Sequence, residues 1–452
     1  MQKTKQTSSL DMTQGDVLGG LLAFSVPALI GNLLHQVYSL TDSIVVGRIL
    51  GMEALAAVGC TMPLILLLAS LMIGTNIGVG VLLSQAFGAQ DMLRMRRGFF
   101  NSLYVGLGIS LVLALIGAPL AKPVLLLMGT PEGPLENAVA YLRINFLTSL
   151  CPMLYYLFSC AFRGMGDSRT DLYCLIVSVG MNVLLDILFV AVFRWGVAGS
   201  AWATALAQLG SAVFAAVLLF KKYPVMRPRR EDLLPNGRLI GSIGRLSIPI
   251  AVQAAFNNIG NLVAQSAVNA FGTVAMAAYT AAGRVGAFAL MPLETIGNTL
   301  SIYTGQNYGA GKPKRIAEGK RITLRLQLLL STALGLLLAL FGRSLTRLFL
   351  ADATEELLGV SYLFLLITAV PGALAGLMFT YQQLLRGVGD TVASMRGGLI
   401  QLAVKVAAIA VGAWAFHSLT LIWTAWPLSF AAAGLYLFLH YRKSDIERKE
   451  AL

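Results

Sequence analysis

The chain contains one sequence pattern twice. Gln-Ala-Phe-Gly-Ala at residues 85–89 returns as Gln-Asn-Tyr-Gly-Ala at 306–310, and Arg-Gly-Met-Gly-Asp at 163–167 returns as Arg-Gly-Val-Gly-Asp at 386–390. Nearly the same number of residues separates the two members of each pair, so two halves of the chain follow one plan. We therefore expect the halves to adopt the same fold.

Each half is too apolar for a water-soluble domain. Hydrophobic residues make up 57% of the chain and charged residues only 12%, whereas soluble domains contain about 25% charged residues. Twelve apolar stretches reach the roughly 20 residues that a helix needs to cross the bilayer, and none alternates with the period of two that barrel strands show. Lipid offers no hydrogen-bond partner for backbone amides, so these stretches must be helical. The predicted spans are 17–47, 54–86, 98–121, 137–162, 172–193, 197–220, 246–270, 275–305, 323–342, 357–385, 397–417 and 419–439.

This pattern predicts an all-α integral membrane protein with twelve transmembrane helices in two pseudo-symmetric six-helix bundles. Six spans per half is an even number, so both halves enter the membrane from the same side and the bundles are parallel. We predict an N-terminal lobe over 1–220, a cytoplasmic linker over 221–245 and a C-terminal lobe over 246–452 that ends in a short cytoplasmic tail. The linker contains three prolines and charges of alternating sign. The first apolar run has no cleavage site and is predicted to be retained as a span.

The distribution of the basic residues along the chain indicates that the net charge of +13 reflects membrane topology and not nucleic-acid binding. With a cytoplasmic N-terminus, 25 of the 34 Lys and Arg residues fall on the inner side, five on the outer side and four within spans. Bacterial inner-membrane proteins show this bias towards basic cytoplasmic loops. We therefore expect a multi-pass protein of the plasma (inner) membrane with both termini in the cytoplasm, surrounded by lipid and monomeric.

The sequence lacks the motifs of several other functional classes. The glycine-rich run before Lys312 is followed by Pro313 and does not match the phosphate-binding loop of ATPases. The three histidines, His35, His417 and His440, are scattered and form no zinc motif. The sequence contains neither the Asp-rich diphosphate motif nor the His-Asp pair that would indicate an intramembrane transferase. We expect neither ATP hydrolysis nor enzymatic activity, and no organic cofactor.

Few acidic residues lie deep in the predicted spans. Of 21 carboxylates, only Asp42, Asp186 and Glu294 fall well inside one. A charge at the bilayer centre costs about 2.5–3.5 kcal/mol, so such residues are candidates for function. Asn182 lies four residues before Asp186 and hence on the same face of its helix. Thr204 lies in the next span.

The polar residues of the first half are predicted to lie at similar depth. Arg48 and Arg194 mark the outer boundary of their spans. Asp42 lies six residues inside this boundary, Asp186 eight and Thr204 ten, which corresponds to roughly 9, 12 and 15 Å at the helical rise. Three helices are thus predicted to place side-chain oxygen atoms at a similar depth in the membrane.

Two interpretations of these residues remain open at the level of sequence. Carboxylate, amide and hydroxyl oxygens are hard ligands that suit an alkali cation such as Na⁺, and a desolvated carboxylate can instead hold a proton. In the structural alternative, Asp42 pairs with backbone or caps a kink, and Asn182 and Asp186 only connect helices.

The second half does not repeat this cluster. Lys405 stands at the position that corresponds to Asn182, nine residues from Arg396 and therefore about 14 Å into the membrane. Glu294 is the deep carboxylate of this half. We predict a Glu294–Lys405 charge pair, which would either be structural or contact the substrate.

Several motifs occur along the chain: Tyr-Ser-Leu-Thr-Asp-Ser-Ile-Val-Val-Gly at 38–47, Gln85…Gly88-Ala89 and its copy, Arg163-Gly164-x-Gly166-Asp167 and its copy, Asn182-x-x-x-Asp186, and Gly-Val-Ala-Gly-Ser-Ala-x-Ala-Thr at 196–204. Through these motifs the chain resembles the multidrug and toxic compound extrusion (MATE) family of cation-coupled exporters, which have two six-helix lobes. In the prokaryotic branch, the resemblance implies that Asp42, Asn182, Asp186 and Thr204 form the cation site. Some other branches place acids in the seventh and tenth spans, where this chain has none, so no cation site is expected in the second half. The resemblance extends over nearly the whole chain.

The resemblance implies an antiporter that exports lipophilic, often cationic, drugs or toxic metabolites in exchange for Na⁺ or H⁺. Its expected partners are small organic substrates and membrane lipid. The alternative is a flippase for lipid-linked sugars or other lipids, which belongs to the same superfamily and is also duplicated and independent of ATP. Such flippases usually line their cavity with basic residues, whereas the deep residues here are mainly acidic.

Overall fold

A computed structural model describes residues 10–348, 354–444 and 446; within these ranges the side chains of residues 39–46 and 369 are not described. All regular secondary structure in these ranges is helical. The first half of the chain forms α1 (Val17–Val45), α2 (Met52–Gly88), α3 (Met92–Val112), α4 (Ala118–Leu127), α5 (Glu132–Leu147), α6 (Leu150–Gly164), α7 (Ser168–Asp186) and α8 (Gly196–Lys222). The second half forms α9 (Gly237–Asn269), α10 (Thr273–Gly309), α11 (Pro313–Arg347), α12 (Glu355–Ala369), α13 (Gly372–Val388), α14 (Thr391–Ala410) and α15 (Leu419–Lys443).

These helices confirm the predicted transmembrane architecture. In the described ranges, ten helical segments are long and apolar enough to span a membrane, and two bent pairs bring the number to twelve. The pairs are α5 with α6, bent by 46°, and α12 with α13, bent by 45°. They occupy equivalent places in the two halves. Pro152 and Pro371 lie at the start of the second helix of each pair, where a proline removes no helical hydrogen bond.

The repeated Arg-Gly-x-Gly-Asp motif forms a helix–turn–helix junction in each half. Gly166 and Gly389 have φ angles of 79° and 94°, a left-handed conformation that favours glycine over residues with a Cβ atom. Asp167 and Asp390 then cap α7 and α14, because each carboxylate accepts a hydrogen bond from the backbone amide three residues later. Part of the internal repeat therefore specifies how one helix ends and the next begins.

The segment between α8 and α9 is held against α3. It contains two short 3₁₀ turns, Pro224–Met226 and Arg230–Leu233. Asp232 is 1% exposed and pairs with Arg96, and its other oxygen lies 3.3 Å from Nε of Arg97. Tyr104 donates a hydrogen bond to the carbonyl of Leu233 over 2.5 Å. We call the contacts of Asp232 and Leu233 with α3 the linker clasp.

Within the described ranges, the contacts of the chain form two compact units, and the first contains residues 10 and 11 together with Val26–Ala251. The start of α9 thus belongs to the unit that contains α2. Two glycines of α2, Gly74 and Gly78, make this packing close: a methyl group on Gly74 would lie 2.5 Å from the backbone nitrogen of Ala251, and one on Gly78 would lie 2.8 Å from that of Ser247. Glycines four residues apart on one helix face allow two helix backbones to approach this closely.

The second unit contains Met12–Ser25 and the chain from Val252 onward. The start of α1 and the residues before it are bound there by hydrogen bonds. The amide of Met12 donates to Oε1 of Gln306 over 3.0 Å, and Lys312 donates to the carbonyl of Thr13 over 2.9 Å. Lobe boundaries at 220 and 246 remain a prediction about the duplicated sequence. The first residues of α9 belong to the first unit and the rest of α9 to the second. The first residues of α1 belong to the second unit and the rest of α1 to the first.

Candidate functional site

The best-defined polar cluster of the first unit lies between α7 and α8. Asn182 and Asp186 face the interior and are 2% and 1% exposed, whereas Leu184 on the opposite side of α7 is 69% exposed. This difference follows from helical geometry, since residues four apart share a face. The predicted common face of Asn182 and Asp186 is therefore a buried one.

Thr204 on α8 is the point at which three helices meet. Nδ2 of Asn182 donates a hydrogen bond to Oγ1 of Thr204 over 3.3 Å. The hydroxyl of Tyr38 on α1 lies 3.2 Å from the same oxygen. Two of the predicted site residues are thus in direct contact, and a tyrosine of α1 joins them.

The contact of Tyr38 with Thr204 was not predicted from the sequence. Tyr38 lies four residues before Asp42 in α1, so the two positions are one helical turn apart on the same side of the helix. That spacing is the sequence signal that could have identified Tyr38. The side chain of Asp42 lies outside the described residues, so its convergence with Asn182 and Asp186 stays a prediction.

The oxygen atoms of this cluster suit a small hard cation. Within the described ranges, Oδ1 of Asn182 is buried and has no hydrogen-bond partner. Buried polar atoms normally have a hydrogen-bond partner, so this oxygen is a candidate ligand atom. The hydroxyl of Thr204 and the carboxylate of Asp186 supply further oxygen ligands of the type that hard cations prefer. Among the described residues, no three His, Cys, Asp or Glu side chains cluster as a transition metal would require.

A π-helical turn, Ile187–Val192, directly follows Asp186. Such turns often occur at functional sites, but the second half has one at the equivalent place, Val411–Ala415, after α14. Because both halves have it, the turn is a feature of the repeated fold. It does not distinguish the half that contains the acids from the half that contains Lys405.

The structure does not bring Glu294 and Lys405 together as an ion pair. Nζ of Lys405 donates to Oδ1 of Asn261 over 3.1 Å and lies 4.8 Å from the centroid of the Trp426 ring. Glu294 on α10 instead interacts electrostatically with Arg386 on α13. The packing of the helices gives each charge a different neighbour: Lys405 is buried, whereas Glu294 is exposed. Their depth in the membrane stays a prediction.

Arg386 lies in a buried network of neutral side chains. Its guanidinium donates to Oε1 of Gln253 over 2.7 Å, to Oγ of Ser394 over 3.0 Å and to Oε1 of Gln383 over 3.4 Å. Each of the three guanidinium nitrogens thus donates one hydrogen bond, and Arg386 as a whole is 7% exposed. The arginine of the second Arg-Gly-x-Gly-Asp motif therefore connects α9, α13 and α14.

Comparison with known proteins places these features in a family. The family model MatE matches residues 27–188 and again 249–411, once in each half. The probable multidrug resistance protein YoeA of Bacillus subtilis is 30% identical over 430 residues, which cover 93% of this chain and 92% of that protein. The multidrug export protein MepA of Staphylococcus aureus strain MSSA476 is 22% identical over 441 residues, or 96% and 97% of the two chains.

Solved structures show the same fold. A MOP superfamily transporter from Pyrococcus furiosus superimposes with a TM-score of 0.90 at 22% identity, covering 98% of this chain and all of that chain. A multidrug resistance MATE family transporter in an outward-facing conformation gives a TM-score of 0.90 at 22% identity, covering 99% and 100%. At this level of identity the likeness concerns the fold alone.

Proposed function

The chain belongs to the MatE family of multidrug efflux transporters, which are not enzymes, and we propose that it exports lipophilic, often cationic, small molecules in exchange for Na⁺ or H⁺. The observation that carries the ion-coupling part of this proposal is the oxygen cluster of the first unit, formed by the buried Asn182 and Asp186 and the half-buried Thr204. Asp42, one turn beyond Tyr38, is assigned to the same cluster. We further propose that the protein acts as a monomer.

Coupling requires only that each ligand binds one conformation more tightly than the other. Substrate enters from the cytoplasm or the inner leaflet and favours the inward-facing state. The coupling ion then binds the carboxylates from outside and favours the state that releases substrate. The uncharged partners, Asn182 and Thr204, orient the site and supply neutral oxygen ligands.

Reconstitution into liposomes tests this function. A Na⁺ gradient and a pH gradient are imposed in separate experiments. We expect one of them to drive export of a cationic dye against its concentration gradient, and no export when neither gradient is present. The gradient that drives export identifies the ion. If neither gradient moves dye while a lipid-linked sugar is translocated without one, the protein is a flippase and the proposal is wrong.

The orientation of the protein can be tested by labelling single cysteines in a cysteine-free background. We propose that both termini and the segment between α8 and α9 are cytoplasmic, because this orientation places 25 basic residues on the inner side and five on the outer side. Arg230→Cys should resist a membrane-impermeant thiol reagent in intact cells and react after the cells are opened. Glu132→Cys, in an exposed position on the opposite side, is the matched control and should react in intact cells. Labelling of position 230 from outside would contradict the topology.

A further inference from the structure

The second unit contains a buried lysine whose surroundings do not balance its charge. Lys405 on α14 is 6% exposed. Its aliphatic chain lies against Gly260 of α9, where a methyl group would come within 3.4 Å of its Cδ atom. This is ordinary van der Waals distance, so the side chain of Lys405 runs along α9 towards Asn261.

The ammonium group of Lys405 has fewer acceptors than donors. Among the described residues, Oδ1 of Asn261 is its one hydrogen-bond acceptor, whereas an ammonium has three N–H donors. The face of Trp426 attracts the charge but carries no countercharge. Glu294 interacts with Arg386 instead. A buried cation in this situation is suited to bind an anion.

The immediate surroundings of the ammonium combine accessible amides with an aromatic wall. Asn261 is exposed, and Asn257 is exposed one turn earlier on the same face of α9. Trp426 is half-buried, and Tyr279 and Phe364 lie 5.9 and 5.6 Å from it between ring centroids. A ligand that reaches Asn261 can therefore place an aromatic ring near Trp426 and an anionic group at Lys405.

We propose that Lys405, Asn261 and Trp426 form a binding site for aromatic carboxylates in the second unit. The ammonium of Lys405 pairs with the carboxylate, the amide of Asn261 donates to the same group, and the indole of Trp426 contacts the ring. In the context of the proposed export function, such compounds are substrates in addition to cationic ones. If Lys405 were purely structural, the protein would bind an aromatic acid and its amide with the same affinity.

Equilibrium binding to the purified full-length protein in phosphatidylcholine nanodiscs tests this site without any ion gradient. The probes are 1-naphthoate and its neutral analogue 1-naphthamide, measured by calorimetry. We expect naphthoate to bind at least about tenfold more tightly than naphthamide, since a hydrogen bond to a charged group contributes that much or more. This comparison needs no variant and remains valid if substitutions affect folding.

Substitutions then assign the effect to Lys405. Lys405→Met should weaken naphthoate binding about 10- to 100-fold and leave naphthamide binding unchanged, while Lys405→Arg should retain most of the affinity. Lys320→Met is the matched control, because Lys320 also lies over an aromatic ring, Tyr441, at 4.7 Å; it should leave naphthoate binding unchanged.

Equal affinities for naphthoate and naphthamide would overturn the assignment, and so would equal effects of Lys405→Met and Lys320→Met on naphthoate binding. Competition of phosphatidylglycerol with naphthoate at Lys405 would also overturn it, because it would identify a lipid phosphate as the anion. Failure of wild-type protein to export a cationic dye would reject the proposed function and leave these binding results unaffected.

Discussion

Asp42→Asn and Asp186→Asn are each expected to abolish ion-coupled export while leaving the protein folded and inserted in the membrane. An amide has nearly the same shape as a carboxylate but cannot be titrated and cannot balance a bound cation. Asp186 is 1% exposed, so no solvent-exposed charge can take its place without rearrangement. Gradient-driven export should fall to the level of liposomes without protein.

The measurement is dye export from proteoliposomes with equal amounts of wild-type and variant protein, verified by size-exclusion profiles and thermal unfolding. Glu132→Gln serves as the control, because it removes a carboxylate at an exposed helix start and should leave export unchanged. Export by Asp42→Asn with unchanged ion dependence would show that Asp42 is not a coupling residue.

A graded effect is expected within the same cluster. Thr204 supplies one neutral oxygen, which Asn182 and Tyr38 contact. Thr204→Ala should therefore raise the ion concentration for half-maximal export only roughly 2- to 10-fold, in keeping with the contribution of one uncharged hydrogen-bonding group. This graded series distinguishes ion ligands from residues that only connect helices.

Asp232→Asn is expected to lower the free energy of unfolding by about 3–5 kcal/mol, because the buried Arg96 loses its countercharge. Release of the linker clasp should also speed cleavage by trypsin at the arginines near residue 230, whose side chains are already exposed but whose backbone is held by the 3₁₀ turn Arg230–Leu233. Thermal unfolding in detergent and limited proteolysis measure the two effects. Glu231→Gln is the matched control: its side chain is 82% exposed and 4.0 Å from Arg97, a surface contact that contributes about 0–1 kcal/mol.

The clasp also has a defined pH dependence. Burial alone would raise the pKa of the Asp232 carboxyl, but the hydrogen bonds and charges of Arg96 and Arg97 outweigh burial and hold this pKa below its usual value. A carboxyl of this kind stabilises the fold above its unfolded-state pKa of about 3.9. It loses this contribution as the pH falls through the folded-state value.

The difference in Tm between wild type and Asp232→Asn should therefore be full at neutral pH and shrink below about pH 4. A difference that stays constant down to pH 3 would show that the clasp does not depend on the charge of Asp232.

The sequence by itself determined the features that depend on local periodicity and composition. Apolar length predicts the twelve spans, because each helix satisfies its own backbone in lipid whatever its neighbours are. The repeated glycine and aspartate positions predict equivalent junctions, and Gly166 and Gly389 share a left-handed backbone because the turn itself requires it. The common face of Asn182 and Asp186 follows from a spacing of four.

Only the tertiary structure decided which helices meet. Tyr38 reaches Thr204 across 166 residues of chain, and Lys405 binds Asn261 and Trp426 rather than Glu294. Similar depth in the membrane was compatible with either partner for Lys405, since depth gives no information on rotation about the helix axis. The binding of Met12 to the second unit was equally invisible in the sequence. Such contacts depend on side-chain packing between helices, which hydropathy and spacing along one helix do not encode.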